Sequence, residues 1–157
     1  MNMTLQKIGL PVKKILVFGA GKSATCLIDY LLTQAADHNW QVIVADGNLE
    51  QVQAKSGGSP YALPVQVDVK DHESRNALIM QSDIVISMLP PGLHPLVAEN
   101  CVTAGRHLLT ASYVDETIKS MEPEIRKKDL LFLCEMGLDP GIDHMSAMQL
   151  IDRIRAR

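Results

Sequence analysis

Ile15-Leu16-Val17-Phe18-Gly19-Ala20-Gly21-Lys22-Ser23-Ala24 is the stretch on which the fold turns. An apolar run enters a Gly-x-Gly-x-x-Ala turn and leaves it as an amphipathic segment beginning near Lys22. A strand that bends sharply into a helix on glycines leaves backbone N–H groups at the helix N-terminus free to hold a pyrophosphate. In that reading Gly19 makes the tight turn, Gly21 lets the phosphates approach, and the small Ala24 lets helix and strand pack closely. Ala20, Lys22 and Ser23 complete the phosphate-facing turn. The next apolar run, Trp40-Gln41-Val42-Ile43-Val44-Ala45, closes on Asp46, about where a ribose-binding carboxylate is expected. Strand, glycine turn, helix, strand and acid together point to dinucleotide binding. Gly21-Lys22-Ser23 also looks like the end of a triphosphate-binding loop, but that loop needs a glycine where Leu16 stands, inside the strand.

Outward from this unit, apolar runs and helical periodicities alternate. Lys22 to Ala36 carries Cys26, Leu27, Tyr30 and Leu31 at helical spacing, which predicts one apolar face. Leu49 to Lys55 reads as a short helix ended by Ser56-Gly57-Gly58-Ser59-Pro60, and Leu63 to Val69 as a third strand. His72 to Gln81 reads as helix, with Ala77, Leu78 and Met80 apolar. Ile84 to Leu89 is a nearly continuous apolar run, the pattern of a strand buried on both faces of a parallel sheet, and Pro90-Pro91-Gly92 stops it. Leu93 to Ala104 is the next helix, His107 to Ala111 a fifth strand, Val114 to Lys128 a helix containing Pro123, Leu130 to Cys134 a sixth strand, and Gly141 to Arg157 a closing helix. Six strands separated by helices predict an α/β fold, a doubly wound parallel sheet of Rossmann type with helices on both faces. Residues 1–157 then form one cofactor-binding domain. The chain stops inside a helix without a clear cap, so the expectation is a fragment of a longer protein whose next domain completes the substrate side.

With 157 residues and 46% hydrophobic content, the chain can bury a full core. Its net charge of -3, from 15 basic and 18 acidic residues, shows no electrostatic footprint for nucleic acid. Arg153, Arg155 and Arg157 give the last helix a basic end that suits its dipole. No apolar stretch is long enough to span a bilayer, and the N-terminus lacks a signal-peptide pattern. Cys26, Cys101 and Cys134 sit in apolar surroundings, unpaired in the sequence, and read as reduced, buried thiols of a cytoplasmic protein with no metal role.

Asp46 is followed by Gly47-Asn48, with no arginine for a 2′-phosphate, so the sequence favours NAD over NADP. Asp68-Val69 ends the third strand, where the adenine would lie, although Asp68 can equally be a solvated acid. The carboxyl ends of strands four to six should face the nicotinamide. They carry Leu89-Pro90-Pro91, then Ala111-Ser112-Tyr113, then Glu135 to His144. Locally, Asp139 is a natural N-cap with Pro140 at the first helical position, and His144 reads as a partly buried neutral imidazole.

The string Glu135-Met-Gly-Leu-Asp-Pro-Gly-Ile-Asp-His144, with Thr110-Ala-Ser-Tyr113 and with Ile86-Ser-Met-Leu-Pro90 followed by His94-Pro95, resembles the saccharopine dehydrogenase family, and most closely its glutamate-forming members. The resemblance runs from about Lys14 to the C-terminus. It implies that Ala20 to Ser23 hold the pyrophosphate, that Asp68 and Val69 flank the adenine, and that Leu89, Ala111 and Ser112 lie along the nicotinamide half. It also implies that Ser112, Tyr113 and Asp139 meet saccharopine, which the complete enzyme would oxidise to L-glutamate and 2-aminoadipate 6-semialdehyde in lysine metabolism. Asp46-Gly47 resembles the NAD-using, degradative branch. A homodimer formed through the following domain is a further expectation. Two alternatives stay open: a non-catalytic NAD(H)-sensing module, and a related amine-forming reductase such as a carboxynorspermidine dehydrogenase.

Overall fold

The computed structural model describes residues 11–156. The leader reading falls on the first ten residues and the basic end partly on Arg157, both outside the described residues. The strands are β1 (Lys13–Phe18), β2 (Trp40–Asp46), β3 (Ala62–Gln66), β4 (Ile84–Ser87), β5 (His107–Thr110) and β6 (Phe132–Leu133). The helices are α1 (Thr25–His38), α2 (Leu49–Ser56), α3 (His72–Met80), α4 (His94–Ala104), α5 (Glu116–Ser120), α6 (Glu122–Lys127) and α7 (Ile142–Arg155). All strands pair in parallel in the order β3-β2-β1-β4-β5-β6. The expected doubly wound sheet is what forms. Its order reverses between β1 and β4, which opens a crevice above their carboxyl ends.

Alternation along β1 divides the core into two layers. Leu16 and Phe18 pack with Ile43, Val85, Leu78, Val97 and Ile118, beneath α3, α4 and α5. Ile15 and Val17 pack on the other face with Val42, Val44, Ile28, Leu31 and Val52, beneath α1 and α2. Val85 and Ile86 fall in different layers, so β4 is buried on both faces as its composition predicts.

Several local expectations shift. α1 buries Ile28, Leu31 and Ala35, with Ala24 of the glycine turn beginning the row, while Tyr30 is 61% exposed and Cys26 is also exposed. The apolar face is therefore rotated from the one expected: close strand–helix packing at Ala24 sets its phase. Of the thiols only Cys101 is buried, and burial pushes it up to about 12. The helix expected over 114–128 breaks at Met121 into α5 and α6, because Pro123 cannot continue a helix ladder and instead sits in the first turn of α6. β6 shrinks to two residues, and in α3 Ile79 rather than Met80 faces the core.

Candidate cofactor and substrate site

β1 runs into the glycine turn through two different kinds of glycine. Gly19 has φ +97, and a Cβ there would lie 2.8 Å from the Met88 carbonyl oxygen. Its N–H donates to the Ala45 carbonyl at 2.8 Å, so the turn is locked to β2 and crowded by the loop after β4. Gly21 has an ordinary φ of -64, and a Cβ there would meet nothing within 4 Å. Gly19 serves the backbone path, and Gly21 keeps space open in front of the first helical turn. Ser23 and Lys22 are exposed beside that space, and Ala24 is fully buried.

Asp46 holds the turn from β2. Its Oδ2 accepts the Ala20 N–H at 2.7 Å and its Oδ1 the Asn48 N–H at 2.9 Å. Asn48 then caps α2 by accepting the Gln51 N–H at 3.1 Å. A cavity of about 470 Å³ opens beyond Asp46, lined by Phe18, Asp68, Val69, Leu89 and Leu93 among others. Asp68 is exposed and accepts the Lys70 N–H at 2.9 Å, whereas Val69 is buried. The Val69 carbonyl accepts from the guanidinium of Arg75, itself buried, whose Nε donates to Asn100 Oδ1 at 2.7 Å. A second cavity of about 330 Å³ lies between the glycine turn and α2, lined by Ala20, Gly21, Lys22, Gln51, Ala54 and Lys55.

On the other side of the crevice, the sequence reading passed over His94 except as part of a family string. His94 opens α4 and is 3% exposed. Its Nδ1 lies 2.8 Å from Ser87 Oγ at the end of β4, and its Nε2 lies 2.9 Å from Ser112 Oγ after β5. Burial lowers its pKa, against the raising effect of the Asp115 carboxylate. Three elements meet in this chain of polar atoms, so no local window of sequence displays it.

Ser112 also accepts the Glu135 N–H through its carbonyl at 3.1 Å, which ties the β5 end to the segment after β6. Gly137 faces the Ala111 carbonyl so closely that a Cβ would lie 2.8 Å from its oxygen. The segment then curls on itself: Gly137 bridges to Gly141, and the Ile142 N–H reaches the Gly137 carbonyl at 3.0 Å. Gly141, at φ +145, occupies the N-cap position of α7 with Asp143 Oδ1 accepting its N–H at 3.0 Å. Asp139 is therefore not the helix cap expected from the sequence. The curl moves the helix start past the Asp139–Pro140 pair and leaves the Asp139 carboxylate to accept the Tyr113 hydroxyl at 2.8 Å. That hydrogen bond, then desolvation and the charge of Asp139, raises the Tyr113 pKa and keeps it a neutral phenol. His144 is exposed rather than partly buried, with Nδ1 2.8 Å from Asp143 Oδ1 and its ring edge-on to Tyr113. Asp139, Asp143 and His144 bring ligand atoms within 4.8 Å of one another, all on exposed side chains.

Residues 15–132 match the family described as the saccharopine dehydrogenase NADP binding domain. The chain belongs to the saccharopine dehydrogenase family. It is 36% identical over 146 residues to the mitochondrial alpha-aminoadipic semialdehyde synthase of Bos taurus, covering 91% of this chain and 15% of that protein. It is 35% identical over 144 residues to the saccharopine dehydrogenase [NADP(+), L-glutamate-forming] of Saccharomyces cerevisiae, covering 90% of this chain and 31% of that protein. The solved apo structure of the yeast L-glutamate-forming enzyme superimposes with a TM-score of 0.79 over 92% of this chain and 32% of its own, at 33% identity. The chain thus spans less than a third of the length of these two curated relatives.

These matches overturn the preference for NAD: the family is an NADP-binding one, and the yeast relative is named for NADP(+). The structure supplies the physical reason that Asp46 misled. Both carboxylate oxygens already accept backbone N–H groups, so the acid after β2 secures the turn and the start of α2 whatever the cofactor. The nearby cations, Lys22 and Lys55, come from the glycine turn and α2, not from the Asp46-Gly47-Asn48 stretch where an arginine was sought.

Among the described residues of this family member, no helix is long and apolar enough to cross a membrane.

Proposed function

We propose that this chain is the cofactor-binding part of an NADP-dependent, L-glutamate-forming saccharopine dehydrogenase. One observation carries the reading: in a chain whose residues 15–132 match the family, Tyr113 donates to Asp139 at the carboxyl ends of β5 and β6, next to Ser112, whose carbonyl accepts the Glu135 N–H. The residues suit NADP. Gly21 leaves room before the first helical turn for a pyrophosphate, the cavity over Asp68 and Val69 accepts the adenine, and Lys22 and Lys55 offer positive charge for the 2′-phosphate. Leu89, Ala111 and Ser112 then border the nicotinamide. Held there in its oxidised form, the cofactor would supply the hydride acceptor for the lysine-derived carbon beside the secondary amine.

This chain's own groups bind and orient the substrate. The Tyr113 phenol, held on Asp139, positions one face of saccharopine, while the Asp139 carboxylate attracts its protonated amine. The amine must first lose its extra proton to solvent, because only its lone pair can drive hydride from the adjacent carbon; loss of hydride from the neutral amine then gives a protonated imine. Water adds across the C=N bond, and cleavage of the C–N bond releases L-glutamate as the amine and 2-aminoadipate 6-semialdehyde as the aldehyde. The rest of the substrate pocket, and the pairing of two copies, are assigned to a following domain. The exposure of every residue of α7 supports that assignment. Free thiols at Cys26, Cys101 and Cys134 fit a reducing setting such as the cytoplasm. The test is the full-length protein mixed with saccharopine and NADP, with reduced cofactor followed by absorbance and glutamate assayed directly. Stoichiometric reduced cofactor and glutamate are expected; no turnover in a folded, NADP-binding protein would overturn the reading.

A further inference from the structure

We propose that His94 is a positioning residue that fixes the Ser112 hydroxyl as a hydrogen-bond donor toward an acceptor oxygen bound at the nicotinamide end of the site. The inference rests on the placement of Ser112 beside the nicotinamide given above. Its internal logic is independent of the ligand. Ser87 is 0% exposed, and among the described residues its hydroxyl meets one polar partner, His94 Nδ1, at 2.8 Å. A buried O–H with nowhere to donate is costly, so Ser87 donates and Nδ1 accepts. A neutral imidazole carries one N–H, which this arrangement places on Nε2. Nε2–H therefore donates to Ser112 Oγ across 2.9 Å. With its oxygen occupied by that donor, the half-buried Ser112 has its own proton left to direct into the crevice. The opposite tautomer would strand the Ser87 proton and draw the Ser112 proton to Nε2, leaving Ser112 only lone pairs to offer the crevice. Burial lowers the His94 pKa, keeping the ring neutral as the relay requires; a second ring proton would face the Ser87 hydroxyl head-on.

The acceptor oxygen is either the carboxamide of the nicotinamide or a carboxylate of the substrate. Both take the same donor, and the experiment separates them. In the full-length protein, NADP and 2′-phospho-ADP-ribose, which lacks the nicotinamide, are titrated against wild type, His94→Leu, Ser112→Ala and the double variant. If the carboxamide is the acceptor, each single variant weakens NADP about three- to tenfold, the double no further, and the fragment binds as to wild type. If a substrate carboxylate is the acceptor, NADP affinity holds and the saccharopine KM rises by the same factor in each variant, with kcat little changed. Either pattern supports the proposal. Equal weakening of NADP and the fragment by His94→Leu makes His94 a packing residue only and overturns it, as does no effect on either ligand. Because His94→Leu could compromise folding, the wild-type ring nitrogens are read by 15N NMR. An Nε2–H tautomer is expected, and Nδ1–H overturns the relay. A wild-type protein that binds neither NADP nor the fragment would sink the proposed function instead, and the tautomer would still decide the relay.

Discussion

Around β1, β2 and α2 the crevice is walled by backbone clamped from within, whereas beyond β5 it is walled by side chains standing on exposed loops. In the first region Gly19 is crowded by Met88, Ala20 is held by Asp46, and Ala24 is fully buried. In the second, Tyr113 is 59% exposed, Leu138 is 75% exposed, and α7 buries nothing. A region built from backbone presents the same surface to any ligand with the right phosphates. A region built from exposed side chains acquires its shape from whatever else closes over it. Under the proposed function, the cofactor half is the clamped region and the substrate half is the open one, whose exposed side chains need a second wall.

The two glycines of the turn offer the sharpest way to break the first half of that contrast. Gly21→Val should abolish NADP binding, by more than about a thousandfold, because branched carbons would fill the space the pyrophosphate needs. The fold should hold, because φ of -64 at this position suits any residue. Gly19→Ala should do the reverse, destabilising the chain by about 3 kcal/mol through a left-handed backbone and a carbonyl clash. Calorimetric titration and thermal melting of both variants check this. Equal losses of stability would mean that the two glycines do the same job and that the turn has no reserved space.

In the second half the corresponding test is Asp139→Asn. Had Asp139 been the cap of α7, asparagine would have replaced it almost silently, but the N-cap position belongs to Gly141. The charge instead accepts the Tyr113 hydroxyl. In the full-length enzyme the change should leave stability and NADP affinity intact. It should lower kcat/KM for saccharopine on the order of ten- to a thousandfold, the range expected when a charge-assisted contact in a closed site is lost. Undiminished kcat/KM would remove Asp139 from the substrate contacts.

The same division decides what could be read from the sequence. The strand order, the two-faced burial of β4 and the glycine turn were legible because each is a local pattern repeated along the chain. The Ser87–His94–Ser112 chain was not, since its three members lie at the ends of β4, the start of α4 and the end of β5. The one available signal was that a histidine stands two residues after a Pro-Pro-Gly stop at the carboxyl end of a buried strand. Asp139-Pro140 misled for the opposite reason: it is a good local helix start, overridden when Gly137 and Gly141 fold the segment back against Ala111. Asp46 was found in the expected place but was a poor guide to NAD over NADP, because sequence does not show that its oxygens accept the Ala20 and Asn48 N–H groups and so hold the turn whatever the cofactor.

His94 lies where the two halves meet, and its titration should register as a modest pH dependence of stability. An unfolded histidine titrates near 6.5, and burial holds this one lower in the folded chain, with Asp115 the charged group that opposes the shift. As pH falls through 6.5 the unfolded chain gains a proton that the folded chain refuses. Stability therefore falls with decreasing pH down to the folded pKa, and this contribution is flat well above 6.5. The slope from one such group is at most about 1.4 kcal/mol per pH unit. Denaturant melts of wild type and His94→Gln between pH 5 and 8, roughly the range in which histidine titrates, should differ by this slope. Parallel curves would show that His94 titrates freely and is not sealed between the serines.

The smallest effect expected is at Met148, and it tests whether the open half is open only in this chain. Met148 is 51% exposed on α7, near Met145 and Ile151, which are also exposed. In the 157-residue chain, Met148→Ser removes little buried surface, so melting should place it within about 0.5 kcal/mol of wild type. If a following domain packs on α7 in the full-length protein, the same substitution there strips a buried methionine, and the cost should rise to about 1.5–3 kcal/mol. A paired control at Ile28, fully buried beneath the sheet, should be costly in both contexts, because α1 is already covered within the domain. Met148→Ser silent in both would mean that the second wall of the crevice is not built on α7. Met148→Ser costly already in the short chain would mean that α7 packs on the domain itself, and the contrast between the two halves would fail.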